Sequence, residues 1–290
     1  CCGSSPLELR VTDSDISGRI DVSDVEPILK RNVARHSWRV HNSPDLSQIP
    51  LTGPDANAFV GTGPERRLQV GGTVPAGATW DIDPASGAIV GGSGSSIYIE
   101  GSLNVFPGTV LKYPNFSVTV GGTLNATGTE ANPITFTALN DDSVGGDTDG
   151  VVDPPEAGDG GTFIWARGGS TTTIAQAEMR YGGVAIEQLG GTLSAIDVRI
   201  EAAESVLEQS GGDASLRGTL RADPQSVWVS SCSWGTADCG VDASRVDWGT
   251  GGPDGRACGS DGGADRSCIW MACHANRTLA HGHTTITHLR

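Results

Sequence analysis

Short runs in which hydrophobic and polar residues alternate recur along the middle of the chain. Ile97, Ile99, Leu103 and Val105 alternate with polar or small residues. Val118, Val120, Leu124 and Ala126 repeat that order 21 positions later. Alternation with period two, rich in β-branched residues, predicts strands with one buried face. Gly101-Ser102 and Gly121-Gly122-Thr123 interrupt the runs where a side chain would obstruct a bend in the backbone. Self-similarity at a fixed short period predicts a solenoid, whose coils bury their apolar sides only by stacking on neighbours. A coil of this length holding two or three short strands predicts a parallel β-helix. A leucine-rich repeat has a similar length, but its leucine signature and helical half are absent. Asn104 and Asn125 would then lie one above the other, about 4.8 Å apart, as an asparagine ladder.

A third copy, Leu68-Gln69-Val70-Gly71-Gly72-Thr73-Val74-Pro75-Ala76, precedes Ile97 by 29 positions. Turn residues at 83–87 and 91–96 account for its extra length. After Ile134-Thr135-Phe136 the pattern breaks. Gly-Gly corners resume at Gly168-Gly169, Gly190-Gly191 and Gly211-Gly212. The 47 positions from Gly122 to Gly169 read as two coils with a small insertion. Seven or so coils would give a rod about 34 Å long. Residues 68–250 are therefore assigned to an all-β, right-handed parallel β-helix. Residues 1–67 are assigned to an N-terminal cap, with a short helix over 26–33 that starts near Pro27. Residues 251–290 form a Cys/His-containing C-terminal tail, either a separate small element or disordered.

Composition sharpens this picture. The chain has 290 residues, 42 of them glycine, with 37% hydrophobic and 5% aromatic residues, which suits a narrow aliphatic column with glycine corners. A formal net charge of −15 argues against nucleic acid or an anionic membrane as partner. No run approaches the length of a transmembrane helix. The seven cysteines, Cys1, Cys2, Cys232, Cys239, Cys258, Cys268 and Cys273, sit only at the two ends, as in an oxidising compartment where bridges hold irregular termini. Cys232 and Cys239 are the expected pair. Cys1, followed by Gly3, Ser4 and Ser5, is similar to the start of a mature bacterial lipoprotein. A lipid anchor at Cys1 is one expectation, and a simple chain boundary is the other. Asn115, Asn125 and Asn276 begin glycosylation sequons.

Several segments also resemble a known family. Gly122-Thr123-Leu124-Asn125-Ala126-Thr127-Gly128-Thr129, Asn132-Pro133-Ile134-Thr135-Phe136-Thr137 and Ala177-Glu178-Met179-Arg180-Tyr181-Gly182-Gly183 are similar to coils of secreted bacterial right-handed parallel β-helix proteins of the pectin-lyase-like superfold. That resemblance implies the fold and an extracellular setting. It leaves activity open, because the superfold hosts polysaccharide lyases, glycosidases and adhesins. Paired arginines with a calcium-binding carboxylate cluster, the lyase signature, are not found.

Chemistry concentrates in one acidic segment. Asp141, Asp142, Asp147, Asp149 and Asp153 crowd into 13 residues, with Glu156 and Asp159 following. Such a Gly-rich loop offers the flexible oxygen ligands that calcium takes, and five carboxylates repel one another without a cation. A solvated acidic loop is the plainer reading. Glu178-Met179-Arg180 and Asp197-Val198-Arg199, 19 positions apart, would stack acid on acid: a sugar-binding patch, a glycosidase pair, or a salt-bridge ladder. Cys268 and Cys273-His274 have a widened haem-attachment spacing, and His274, His281, His283 and His288 offer zinc or nickel ligands. The expected function is a secreted or cell-surface module for adhesion or scaffolding, binding an extracellular glycan or surface protein without catalysis. The alternative is a carbohydrate-active enzyme, polysaccharide lyase or glycoside hydrolase, on the same fold.

Overall fold

The computed structural model describes residues 8–114 and 117–219, side chains at 63, 65 and 93–95 apart, with the backbone of 221–222, 227–231, 239–247 and 269–270. The chain is a parallel β-solenoid of about ten turns. Nearly every strand hydrogen-bonds to the strand one coil earlier and one coil later, always in parallel. Three faces result.

Face A contains Thr79–Ile82, Ser102–Val105, Thr123–Thr127, the first halves of Thr171–Arg180 and Thr192–Glu201, then Gly212–Thr219. Face B runs from Ile20–Ser23 through Trp38–Ser43, Val110–Tyr113 and Ile134–Ala138 to the second halves of the same two long strands. Face C stacks the end of Ile89–Ile99 beneath Val118–Val120, Thr162–Ala166, Val184–Gln188 and Ser205–Gln209.

Each face sends more than one column of side chains inward. On face A one column is Trp80, Leu103, Leu124, Thr172, Leu193 and Ala214, and on face C one is Ile97, Val118, Ile164, Ile186 and Leu207. Face B supplies Trp38, Leu68, Val90, Leu111, Phe136, Met179 and Ile200. All are buried. The predicted ladder is present: Asn125 Nδ2 donates to Asn104 Oδ1 at 3.0 Å, and Asn104 Nδ2 donates to Asp81 Oδ1 at 2.8 Å.

Four expectations change. Parallel stacking already begins at Glu8, where Glu8–Thr12 pairs with Glu26–Lys30. In place of the helix over 26–33 there is the strand Glu26–Lys30, with Val33 opening the next strand, because burial of Pro27 and Leu29 between half-exposed neighbours follows period two. The third copy is shifted. Leu68 pairs with Val90, and after an irregularity Gly72 pairs with Ile97, so Gly71-Gly72 lie inside a strand and the corner falls at 75–78. Finally, Val118 pairs with Ile164, 46 positions on, whereas Ile164 pairs with Ile186 and Ile186 with Leu207. Residues 139–161 are thus one large insertion in a single coil, not part of a second coil.

The Gly-Gly corners stack, and a buried side-chain ladder holds them. Gln209 Nε2 donates to Gln188 Oε1 at 3.3 Å and to Gly212 O at 2.9 Å, while Gln188 Nε2 donates to Asp213 O at 3.1 Å. Both amides lie inside the coil, where an unsatisfied polar group is costly. Gly191 has φ +74°, and a Cβ there would lie 2.3 Å from Ser170 O, whereas a Cβ on Gly168 would meet nothing within 4 Å. Gly191→Ala should accordingly destabilise the chain by roughly 2 kcal/mol or more. Gly168→Ala should leave the denaturation midpoint nearly unchanged, and equal midpoints for both variants would contradict this assignment.

Candidate functional site

Three surface features emerge from the stack, and the first is the 139–161 insertion. It leaves face B after Ala138 and folds back over the outer side of that face. There it covers Lys112 and Thr137, both fully buried. Lys112 Nζ donates to Asp141 O at 2.8 Å and Gly146 O at 2.6 Å. Arg67 Nη1 donates to Thr148 O at 2.6 Å, and Arg180 Nη1 lies 3.6 Å from Asp141 Oδ2. Cations from the coils thus oppose the repulsion within the acidic segment. Desolvation lowers the pKa of Lys112, with Asp142 and Asp141 acting in the other direction. Arg67 is held below its usual range, first by burial.

The five aspartates do not form one cluster. Asp141 is buried and committed to the loop: its Oδ2 accepts from Thr137 Oγ1 at 2.6 Å and its Oδ1 from Ser143 N at 3.1 Å. Asp142, Asp147 and Asp149 do converge, each offering an oxygen within 4.8 Å of the others. Oδ1 of Asp142 is buried without a hydrogen-bond partner. Desolvation raises the pKa of Asp142, with Asp147 adding to it. Asp147 Oδ1 also accepts from Asp149 N and Gly150 N at 3.1 and 2.6 Å. Asp153 is exposed and outside this convergence. Beside the tip of the insertion, Arg19, Arg39, Arg67, Asp21 and Asp149 line a cleft of about 180 Å³.

The acid-on-acid stack is overturned. Coils advance by 21 positions here, so Glu178 pairs with Arg199 and Arg180 with Glu201. Arg180 Nε lies 3.1 Å from Glu201 Oε2, Arg199 Nη1 lies 3.9 Å from Glu178 Oε1, and Arg199 also contacts Glu201. Asp197 sits at a corner with φ +53°, its Oδ2 accepting from Gln176 Nε2 at 2.9 Å. This is a salt-bridge ladder, and the proposed glycosidase pair does not exist.

The second feature is the outer side of face A. Two parallel ranks run up it: Thr79, Ser102, Thr123, Thr171, Thr192 and Asp213, then Asp81, Asn104, Asn125, Thr173, Ser194 and Ser215. Their upper part forms an open trough of about 420 Å³, which Arg217 also lines. The third feature is a strip along face C in which Tyr98, Thr119, Trp165, Glu187 and Glu208 follow one another, one per coil. The sequence reading missed this strip, although the spacings of 22 and 21 from Trp165 to Glu187 to Glu208 carry it.

The side chains of all seven cysteines lie outside the described residues. So do the Cys232–Cys239 bridge, the lipid anchor expected at Cys1, the haem and metal readings of the tail, and the sequons at Asn115 and Asn276. No helix among the described residues is long and apolar enough to cross a membrane. No protein-family model matches the chain, and neither a curated protein nor a solved structure matches it.

Two outcomes check these assignments. Lys112→Met keeps the packing but leaves two loop carbonyls without their donor, so residues 139–161 should become the first site cut in limited proteolysis, with roughly 1–3 kcal/mol of stability lost. Unchanged cleavage would contradict the anchoring role. Burial, then Glu208, raises the pKa of Glu187. A carboxyl whose folded pKa is raised weakens the fold as pH climbs through its ordinary range and above. Glu187→Gln should therefore raise Tm at neutral pH, and the gain should vanish in acid below that range. An equal gain at both pH values would point to packing instead.

Proposed function

We propose that the chain is a secreted or cell-surface module of adhesive or scaffolding type that holds an extended glycan along face A without catalysis. The observation that carries this reading is the pair of hydroxyl, amide and carboxylate ranks on that face, continuous over six coils. Strands about 4.8 Å apart repeat the same donors and acceptors at a fixed step. A polymer with its own repeat meets many weak contacts at once, and its affinity grows through multivalency. The excess of negative charge favours a neutral polymer over nucleic acid.

A carbohydrate-active enzyme would need a localised set of acid, base and charge-stabilising groups. The acid pair singled out for that role in the sequence falls apart in the observed register. A glycan array, followed by product analysis on every hit, tests the proposal. Thr171→Val, Thr173→Val and Thr192→Val together remove three hydroxyls while keeping β-branched side chains. Binding should fall about tenfold or more with Tm preserved. Cleavage of a hit, or binding indifferent to the triple variant, would overturn the reading.

A calcium ion in the insertion belongs to the same proposal, supported by the convergence of Asp142, Asp147 and Asp149 and by the partnerless Asp142 oxygen. Millimolar calcium should raise Tm relative to EDTA through mass action, and Asp147→Asn should abolish the difference. Superimposable melting curves would mean that the cations of the coils suffice.

A further inference from the structure

The strip on face C combines two chemistries that face A lacks. Tyr98 is 41% exposed, and two coils above it Trp165, at the outward position between buried Ile164 and Ala166, is half-buried, its Nε1 enclosed without a hydrogen-bond partner. The next two outward positions are Glu187 and Glu208, register partners on adjacent coils and therefore about 4.8 Å apart along the stack. Like charges placed directly opposite on neighbouring strands are destabilising. Among the described residues neither glutamate has an ion-pair partner. The nearby Arg167 directs its guanidinium to the Tyr98 ring, 6.0 Å from the centroid. Next to it on face C, Leu189 is 41% exposed, one coil above Arg167.

An aromatic plane beside two unneutralised carboxylates calls for a ligand with a flat apolar side and a positive charge one step further on. We propose that this strip binds an extended polymer of amino sugars carrying free ammonium groups, one pyranose ring lying on Trp165 and the ammonium groups of the following units on Glu187 and Glu208. The ring offers the aromatic plane its C–H face. The ammonium supplies the charge-assisted hydrogen bonds that both carboxylates lack. A step between coils is close to the length of one pyranose in an extended chain, so the chain advances about one unit per coil, and the half-turn between β-1,4-linked units brings the two ammonium groups to the glutamates from opposite edges of the chain. A flat open sheet does not exclude water, which suits holding the polymer rather than cleaving it. The site is separate from face A and stands whether or not face A binds a glycan.

The test measures binding of the intact protein by calorimetry to three probes: the β-1,4-linked hexamer of glucosamine, the same hexamer fully N-acetylated, and cellohexaose. The glucosamine hexamer should bind about tenfold or more tighter than either neutral probe. Trp165→Ala should weaken all binding at this face, and Glu187→Gln with Glu208→Gln should abolish the preference for the charged probe without lowering Tm. The face A triple valine variant should leave these numbers unchanged. The proposal is overturned if the three probes bind equally or not at all. It is also overturned if the preference survives the double glutamine variant, or if Trp165→Ala has no effect, since either result would reflect only general attraction to an acidic protein. Hexalysine that binds as tightly, with the same dependence on Trp165, would replace the amino sugar by a basic polypeptide.

Discussion

The structure depends on the backbone ladder between coils. A short strand in a solenoid has no partner within its own turn, so each N–H and C=O is satisfied only by the coil before or after. Once that ladder is in place, equivalent residues must lie on top of one another. Every coil then has to offer the same kind of residue at the same place: aliphatic on the inside, small at the corners, and outside something that tolerates its own neighbours. The inward columns of Leu103, Leu124 and Leu193, and of Val118, Ile164 and Ile186, obey this rule. The outward asparagines and threonines obey it by hydrogen-bonding or by remaining neutral, and Glu178 with Arg199 by alternating charge.

Departures from the rule mark where the chain does something besides stack. Gln188 over Gln209 is polar yet inside, and it ties down the tight Gly-Gly corners. Lys112 points outward into what would be solvent, but the insertion covers it and takes its hydrogen bonds. Glu187 over Glu208 places like on like where the rule disfavours charge. Of these, the first two have structural partners that explain them. The third has no ion-pair partner among the described residues, and this is the ground for the ligand proposed at that strip.

How much of this was legible depended on how regular the coil is. Where coils differ by 21 or 22 positions, alternation and glycine pairs locate strands and corners, and the asparagine ladder follows directly. The early coils hid their period. The turn Leu46–Gln48 interrupts face A, and the strands Asp15–Ile16 and Val33–Ala34 are too short to show alternation. The mixed charges of 26–33 looked helical, and only the parallel partner at Glu8–Thr12 makes them a strand. Glu178 and Asp197 were set against each other by a 19-position spacing, but the coil advances by 21 and Asp197 turns a corner in the left-handed region. The acidic segment was recognised as chemically loaded. Its counter-charges were not, because Arg67, Lys112 and Arg180 are far away in sequence and meet it only when the insertion folds back.

That folding back rests on one statement about register: the coil holding Thr123 is followed directly by the coil holding Thr171, with the whole of 139–161 bulging between them. Cysteine cross-linking measures it most directly. Adjacent strands bring Cα atoms to about 4.8 Å, within reach of a disulfide, whereas an intervening coil would hold them near 9.6 Å, beyond it. Thr123→Cys with Thr171→Cys should oxidise in the folded protein to a bridge found by peptide mapping, while Thr123→Cys with Thr192→Cys, two coils apart, should not. Failure of the first pair to cross-link in folded protein would restore a second coil between them and contradict the account.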